Sequence, residues 1–368
     1  MSGPDGLGAV RAAVFDGPGS VSVEELELEA PRAREVLVRM GASGVCHSDL
    51  HVVDGEWPRP TPVVMGHEGA GVVEAVGEGV RGVEVGDHVV LSWFYACGRC
   101  AHCLAGRAWA CSGTMAGKCV LDDGTTRFRR PGSGEDVYTY LAVGSMAERS
   151  VVPETAAIPI PREVPMDVAA LIGCAVTTGV GAVVNTARVE AGSSVVVIGC
   201  GGVGLSVVMG AALVGAHPVV AVDVSEEKRA LAAEVGATDA VPSVEDAAER
   251  VPGGFDYAFE AIGLVPTVEA VPGLLRSGGV GVLVGLAAYG ERASFEVYSF
   301  VDSGKTLVGS IYGGAVPALD FPRIAELYLA GKLPLDRLVS HRIGLEDVDE
   351  AFAAMRRRER ARSVVVFE

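Results

Sequence analysis

Four cysteines within fifteen positions, Cys97, Cys100, Cys103 and Cys111, form the densest group of metal-ligating side chains in the chain. Their spacing, C-x2-C-x2-C-x7-C, lets four thiolates close a tetrahedron around Zn²⁺ with no position left for a substrate, as a structural site requires. An iron–sulfur cluster is a second reading of the spacing, and free or disulfide-paired cysteines a third. Thiols so crowded on one loop would be prone to oxidation without a metal. His102 lies inside this loop, but four cysteines already satisfy zinc, so it reads as an exposed bystander.

A second constellation is dispersed: Cys46 in GVCHSDLH, His67 and Glu68 in MGHEGAG, and Cys174 in GCAVTTG. Two cysteines and a histidine are the ligand set of a catalytic zinc, which keeps a fourth position for water or an alcohol oxygen. From spacing alone, three such residues fit a small-residue core equally well. Their neighbours add chemistry. Asp49, three residues after Cys46, is placed to accept from the ring of His67, and Ser48 and His51 bring a hydroxyl and an imidazole to the same segment.

A third motif follows an apolar run, Val195–Ile198: Gly199-Cys200-Gly201-Gly202-Val203-Gly204, then an apolar stretch through Val214. Between a buried strand and a helix, G-x-G-x-x-G binds a dinucleotide. Gly199 would permit the turn, Gly201 the approach of a pyrophosphate, and Gly204 the packing of helix on strand, with the helix N-terminus supplying amide donors. Asp223 ends the next apolar run, nineteen residues after Gly204. Its carboxylate would accept from ribose hydroxyls and repel a 2′-phosphate, which favours NAD over NADP. The alternative is a glycine-rich turn in a sheet that binds no nucleotide.

These residues must be positioned by a chain of 368 residues, enough for about two domains. A hydrophobic content of 49% and a charged content of 21% exclude intrinsic disorder. The 49 glycines follow no collagen period and so mark turns and close approaches. With 30 basic and 47 acidic residues, net charge −17, the protein would be repelled by nucleic acid and by anionic membranes. No apolar run reaches the roughly 18 residues of a spanning helix, and the N-terminal MSGPDGLGAVRAAVF lacks the pattern of an export signal. With only eight cysteines, the reading is a cytoplasmic protein. Up to about residue 175, short β-branched segments such as Val36–Met40 and Gly71–Val76 predict a β-rich domain. Beyond it, Val195–Ile198, Val219–Val222, Phe255–Phe259 and Val280–Val284 alternate with helical stretches and predict a doubly wound parallel sheet, an α/β class. The arginines 356, 357, 358, 360 and 362 read as a solvated helix face.

In order and spacing, GHEGAGVVEAVGEGV at 66–80, the four-cysteine lobe, GCAVTTG at 173–179, GCGGVGLS at 199–206 and DVSEEK at 223–228 resemble the zinc-containing medium-chain alcohol dehydrogenases from about Ala12 to Phe367. The resemblance implies a GroES-like catalytic domain of residues 1–176 and 320–368 around a Rossmann domain of 177–319. It implies two zinc ions per chain, one catalytic on Cys46, His67 and Cys174 with Glu68 close behind, and one structural on Cys97, Cys100, Cys103 and Cys111. It further implies a proton relay through Ser48 and His51, cofactor contacts at His47, Lys228 and Arg362, and a substrate channel lined by Trp57 and Trp93. DGTTRF at 123–128 resembles the longer lobe of the dimeric branch, so a homodimer is expected. The activity expected is hydride transfer between a primary alcohol, or its aldehyde, and NAD. Residues 311–352 also resemble thiol-dependent formaldehyde dehydrogenases of the mycothiol or glutathione type, an alternative in which a thiol adduct is the substrate. Met115 stands where the glutathione-dependent enzymes carry an arginine. A non-catalytic NAD-binding protein is the reading from another class.

Overall fold

The computed structural model describes residues 6–17, 19–357 and 362–368. The chain forms two compact units, one of residues 1–174, 316–329 and 339–368, the other of 175–315 and 330–338. The first is β-rich. Strands Gly6–Phe15, Val21–Glu29, Phe128–Arg129, Asp136–Thr139 and Val63–Val64 close a small barrel. A second, seven-stranded sheet has Glu35–Gly44 and Glu68–Val76 as central neighbours and takes in both Arg149–Pro153 and the C-terminal strand Ser363–Val366. The chain end therefore belongs to the same sheet as Glu68, because Val364 pairs with Gly44 and Gly44 with Glu68. Apolar residues from both sheets form one core, which includes Leu26, Val38, Val64, Met65, Phe128 and Phe352. Inside it Arg127 is almost fully buried, and its guanidinium is held by Glu35 and by Asp123 at 2.7 Å.

The second unit is a Rossmann domain. Its six strands lie in the order Asp239–Val241, Val219–Val222, Val195–Ile198, Phe255–Glu260, Leu275–Leu283, Thr306–Gly309, every pairing parallel. Counted along the chain that order is 3-2-1-4-5-6, which reverses direction at Val195–Ile198 and leaves the binding crevice at the carboxyl ends of the strands beside it. The strands Val195–Ile198 and Val219–Val222 are buried throughout, as a sheet covered on both faces demands.

Two expectations from the sequence need correction here. Residues 166–187 form a 22-residue helical stretch whose most apolar 18-residue window has a mean hydropathy of 1.8, long and apolar enough by length and composition to cross a membrane. Its most apolar window is 89% buried inside the protein, so its apolarity is that of a core helix. The arginine run is not one solvated face either. Arg356 and Arg357 pair with Asp54 and Glu350, whereas Arg362 is buried against Glu68; Arg358 and Arg360 lie outside the described residues. A buried guanidinium needs an acid within reach, and only the folded sheet brings Glu68 to it.

Candidate active site

The four-cysteine lobe gathers its thiols. The sulfurs of Cys97, Cys100, Cys103 and Cys111 lie within 4.8 Å of one another. Cys100 Sγ is 3.5 Å from Cys103 Sγ and 4.0 Å from Cys111 Sγ. Zinc–thiolate bonds of about 2.3 Å place tetrahedral sulfurs about 3.8 Å apart, whereas a disulfide would need about 2.05 Å. The spacing therefore suits a metal and no cystine. Backbone N–H groups of Cys97 and Gly113 point at Cys111 Sγ at 3.2 and 3.3 Å. Amides of Cys103 and Ser112 lower the Cys100 thiol to about 5. His102 is half-buried, not exposed, and is not among the gathered ligand atoms.

Cys46, His67, Glu68 and Cys174 form the second group, with ligand atoms within 4.8 Å and all four side chains buried. Three elements bring them together. Cys46 caps the helix His47–Val53, Glu68 opens the strand Glu68–Val76, and Cys174 sits in a π-helical segment, Ile172–Val176. A Cβ at Gly173 would lie 2.9 Å from the Leu91 carbonyl, so glycine there allows Cys174 to approach the sheet. Asp49 is fully buried and spans two partners: Oδ2 accepts from the Cys46 amide at 3.2 Å and Oδ1 from His67 Nδ1 at 3.1 Å. That leaves His67 Nε2 as a buried nitrogen without a hydrogen-bond partner beside two thiols. Such an orphaned nitrogen is costly unless a ligand completes it. The donor set, two sulfurs and an imidazole oriented by a carboxylate, fits zinc.

The electrostatics concur. Hydrogen bonding from Cys174 pulls the Cys46 thiol well below its ordinary value, while the same bond and burial push Cys174 well above. One thiolate is thus already favoured. Burial raises Glu68 to about 7 against the opposing influence of Arg362, whose guanidinium it holds.

Around this centre, Ser48 is half-buried and its carbonyl accepts from Tyr140 Oη at 3.1 Å. The Tyr140 ring stands edge-on to His67, centroids 5.6 Å apart, and Trp93 does so at 6.4 Å. Trp57 instead stacks on His51, with centroids at 4.4 Å and planes at 26°. His51 Nδ1 meets Glu56 Oε2 at 2.5 Å, and His47 is exposed. Sequence reasoning singled out neither Tyr140 nor Glu56. Tyr140 lies 92 residues from Ser48 and carried no signal; Glu56, five residues after His51, had spacing alone.

In the Rossmann unit the loop glycines have different surroundings. Gly199 has φ +95°, a conformation that favours glycine, and a Cβ at Gly204 would lie 1.7 Å from the Gly199 carbonyl. At Gly201 a Cβ would meet nothing within 4 Å. That open space, at the N-terminus of the helix Gly202–Leu213, is where a phosphate could approach backbone. Gly202 and Val203 begin this helix and are half-buried. Asp223 Oδ2 accepts from the Cys200 amide at 2.8 Å and Oδ1 from Ser225 N at 2.9 Å, tying the loop to the next strand end. Lys228 follows in the first turn of the helix Glu226–Glu234, capped by Ser225.

Comparison with known proteins gives concordant results. Residues 32–162 match the family described as alcohol dehydrogenase GroES-like domain, and residues 202–330 match zinc-binding dehydrogenase. The S-(hydroxymethyl)glutathione dehydrogenase of Saccharomyces cerevisiae is 35% identical over 370 residues, 97% of this chain and 95% of that protein. The protein of the same name from Komagataella pastoris is 36% identical over 96% of each. Among solved structures, an alcohol dehydrogenase zinc-binding domain protein from Burkholderia ambifaria superposes with a TM-score of 0.93 at 39% identity, covering 98% of this chain and 99% of that one. Benzyl alcohol dehydrogenase from Acinetobacter calcoaceticus does so at 0.89 and 32%, covering 98% and 100%.

Proposed function

The chain belongs to the zinc-dependent alcohol dehydrogenase family, and from that premise we propose that it is an oxidoreductase that uses NAD to interconvert a primary alcohol and its aldehyde. The observation that carries the reading is His67, turned by Asp49 so that its buried, partnerless Nε2 stands with two thiols. Cys46, His67 and Cys174 would hold the reactive zinc, and Cys97, Cys100, Cys103 and Cys111 the structural one. When bound, the reactive zinc supplies Lewis-acid polarisation of the substrate oxygen, and NAD supplies the hydride acceptor.

The protein's own residues do the rest. Asp49 fixes the tautomer of His67. Arg362 balances Glu68 behind the ligands, so that the buried site does not carry uncompensated negative charge. Ser48 relays the alcohol proton, releasing its own hydroxyl proton outward as it accepts the substrate's, and His51, whose side chain is 24% exposed, receives the relayed proton and exchanges it with solvent. Trp93, beside His67, narrows the space for the substrate. Gly201, Gly202 and Val203 present amides to a pyrophosphate, and Asp223 accepts from the adenosine ribose. His47, Lys228 and Arg362 are assigned further cofactor contacts.

A second reading is favoured by the names of the 35–36% identical relatives, in which the substrate is a formaldehyde–thiol adduct. Met115 supplies no charge for a glutathione carboxylate, which points to a different thiol. Steady-state rates with ethanol, benzyl alcohol, and formaldehyde with and without glutathione or other thiols decide between them. Inactivity towards all of these would favour a non-catalytic NAD-binding protein.

Three expectations follow. Metal analysis of active enzyme should give two zinc ions per chain, one of which chelators remove faster because only the Cys46 site keeps an exchangeable position. Cys103→Ser should lower thermal stability more than it slows the chemical step, and one zinc per chain in active enzyme would defeat the assignment. Asp223→Gly should shift preference towards NADP, since it removes the carboxylate that repels the 2′-phosphate; a parent enzyme already preferring NADP would contradict the ribose role.

The third concerns association. The edge strand Thr306–Gly309 and the exposed apolar side chains Leu286, Tyr289, Val297, Tyr298 and Val301 support a homodimer joined along this side of the Rossmann unit. Light scattering at micromolar concentration should give twice the chain mass. The eight cysteines, none in a disulfide, suit a reducing compartment such as the cytoplasm. The net charge of −17 argues against nucleic-acid or anionic-membrane partners.

A further inference from the structure

We propose that Glu56 is a positioning residue that makes His51 the outer half of a carboxylate–imidazole pair, a role that rests on the proton path assigned to Ser48 and His51. Three observations carry it. Glu56 Oε2 lies 2.5 Å from His51 Nδ1, and among the described residues Glu56 forms no ion pair with an arginine or lysine. The imidazole is clamped on its face by Trp57, whose own amide donates to the His51 carbonyl at 3.1 Å, so residues 51–57 form one closed turn. The adjacent carboxylate, Asp54, is occupied by Arg356 at 2.5 Å and does not compete for the ring.

The chemistry follows from the geometry. With Nδ1–H donated to Glu56, Nε2 keeps its lone pair and is the nitrogen that takes a proton. The imidazolium so formed has its charge against the carboxylate, and Nε2 returns the proton to water or buffer, restoring the same tautomer. Glu56 itself neither gains nor loses a proton in the cycle; it orients and stabilises, as the acid of a catalytic triad does. Because the Glu56 side chain is 43% exposed and that of His51 24%, the pair stands where solvent can reach it.

The test is a double-mutant cycle on the zinc-loaded enzyme at saturating NAD, with kcat for alcohol oxidation in a poorly proton-accepting buffer as the readout. Glu56→Ala should lower kcat by about the factor lost in His51→Gln, about tenfold, with zinc content, thermal stability and the KM for NAD unchanged. The double variant should be no slower than His51→Gln alone. Glu56→Gln, which keeps an acceptor but no charge, should lie between the parent and Glu56→Ala. Nitrogen NMR of the labelled histidines should show His51 as the Nδ1–H tautomer in the parent and with increased Nε2–H population in Glu56→Ala. Additive losses in the double variant, an unchanged tautomer, or a fully active Glu56→Ala beside an impaired His51→Gln would overturn the pairing. A fully active His51→Gln would instead overturn the proton path beneath it.

Discussion

Ser48→Ala is expected to lower kcat for alcohol oxidation by about 10²- to 10⁴-fold, the contribution of a positioned proton-transfer group, while zinc and NAD still bind. The size of the effect follows from how Ser48 is held. It is the second residue of the helix His47–Val53, whose N-cap is the ligand Cys46, and Tyr140 Oη anchors its carbonyl. The hydroxyl therefore stands at a fixed offset from the metal ligand, and half-burial limits the access of a substitute from solvent. His51→Gln should lose less, about tenfold, below the usual range, because bulk buffer can reach the outer end of the path. Small imidazole buffers should restore part of that loss. Kinetics of both variants at saturating NAD, with metal analysis alongside, check the pair of outcomes. A fully active Ser48→Ala would remove Ser48 from the proton path.

Gly204→Ala and Gly201→Ala are expected to fail in different ways, although both change one glycine of the same loop. At Gly204 the added methyl would lie 1.7 Å from the Gly199 carbonyl, a contact that backbone must move to relieve. The Rossmann unit should lose roughly 1–3 kcal/mol or more, as overpacked sites do, and cofactor affinity should fall with it. Gly201 has φ −77°, which any residue adopts, and a Cβ there meets nothing within 4 Å. Its variant should melt with the parent. The methyl would nevertheless occupy the space through which a pyrophosphate reaches the backbone. Losing one charge-assisted hydrogen bond costs roughly 1.5–3 kcal/mol, so the Kd for NAD should rise by about 10- to 100-fold. Thermal unfolding and a fluorescence titration with NADH separate the two effects. Normal NAD affinity in Gly201→Ala would show that the cofactor does not pass over this residue.

The features legible in the sequence were those set by near neighbours. Four cysteines within fifteen residues define a zinc lobe on one loop, because a short segment can bring ligands together by its own turns. The strand–glycine–helix order around 195–213 and the buried runs of the parallel sheet were equally legible, since burial on both faces leaves an uninterrupted apolar pattern. Cys46, His67 and Cys174 were recognisable as types but, from spacing alone, fitted a core as well as a metal site.

Tertiary structure decided what depends on distant residues sharing a volume that excludes water. Glu68 and Arg362, 294 positions apart, meet only because the C-terminal strand joins the sheet beside Gly44, so a run that reads as solvated arginines delivers one member to the interior. Tyr140 finds the carbonyl of Ser48, Asp49 closes on both Cys46 and His67, and Trp57 lies on His51 rather than beside the zinc ligands. Residue type and local spacing set which groups can bind a metal or move a proton. Whether they do so depends on burial, which removes water as the competing partner and makes an orphaned nitrogen or an unpaired guanidinium costly enough to dictate its neighbour.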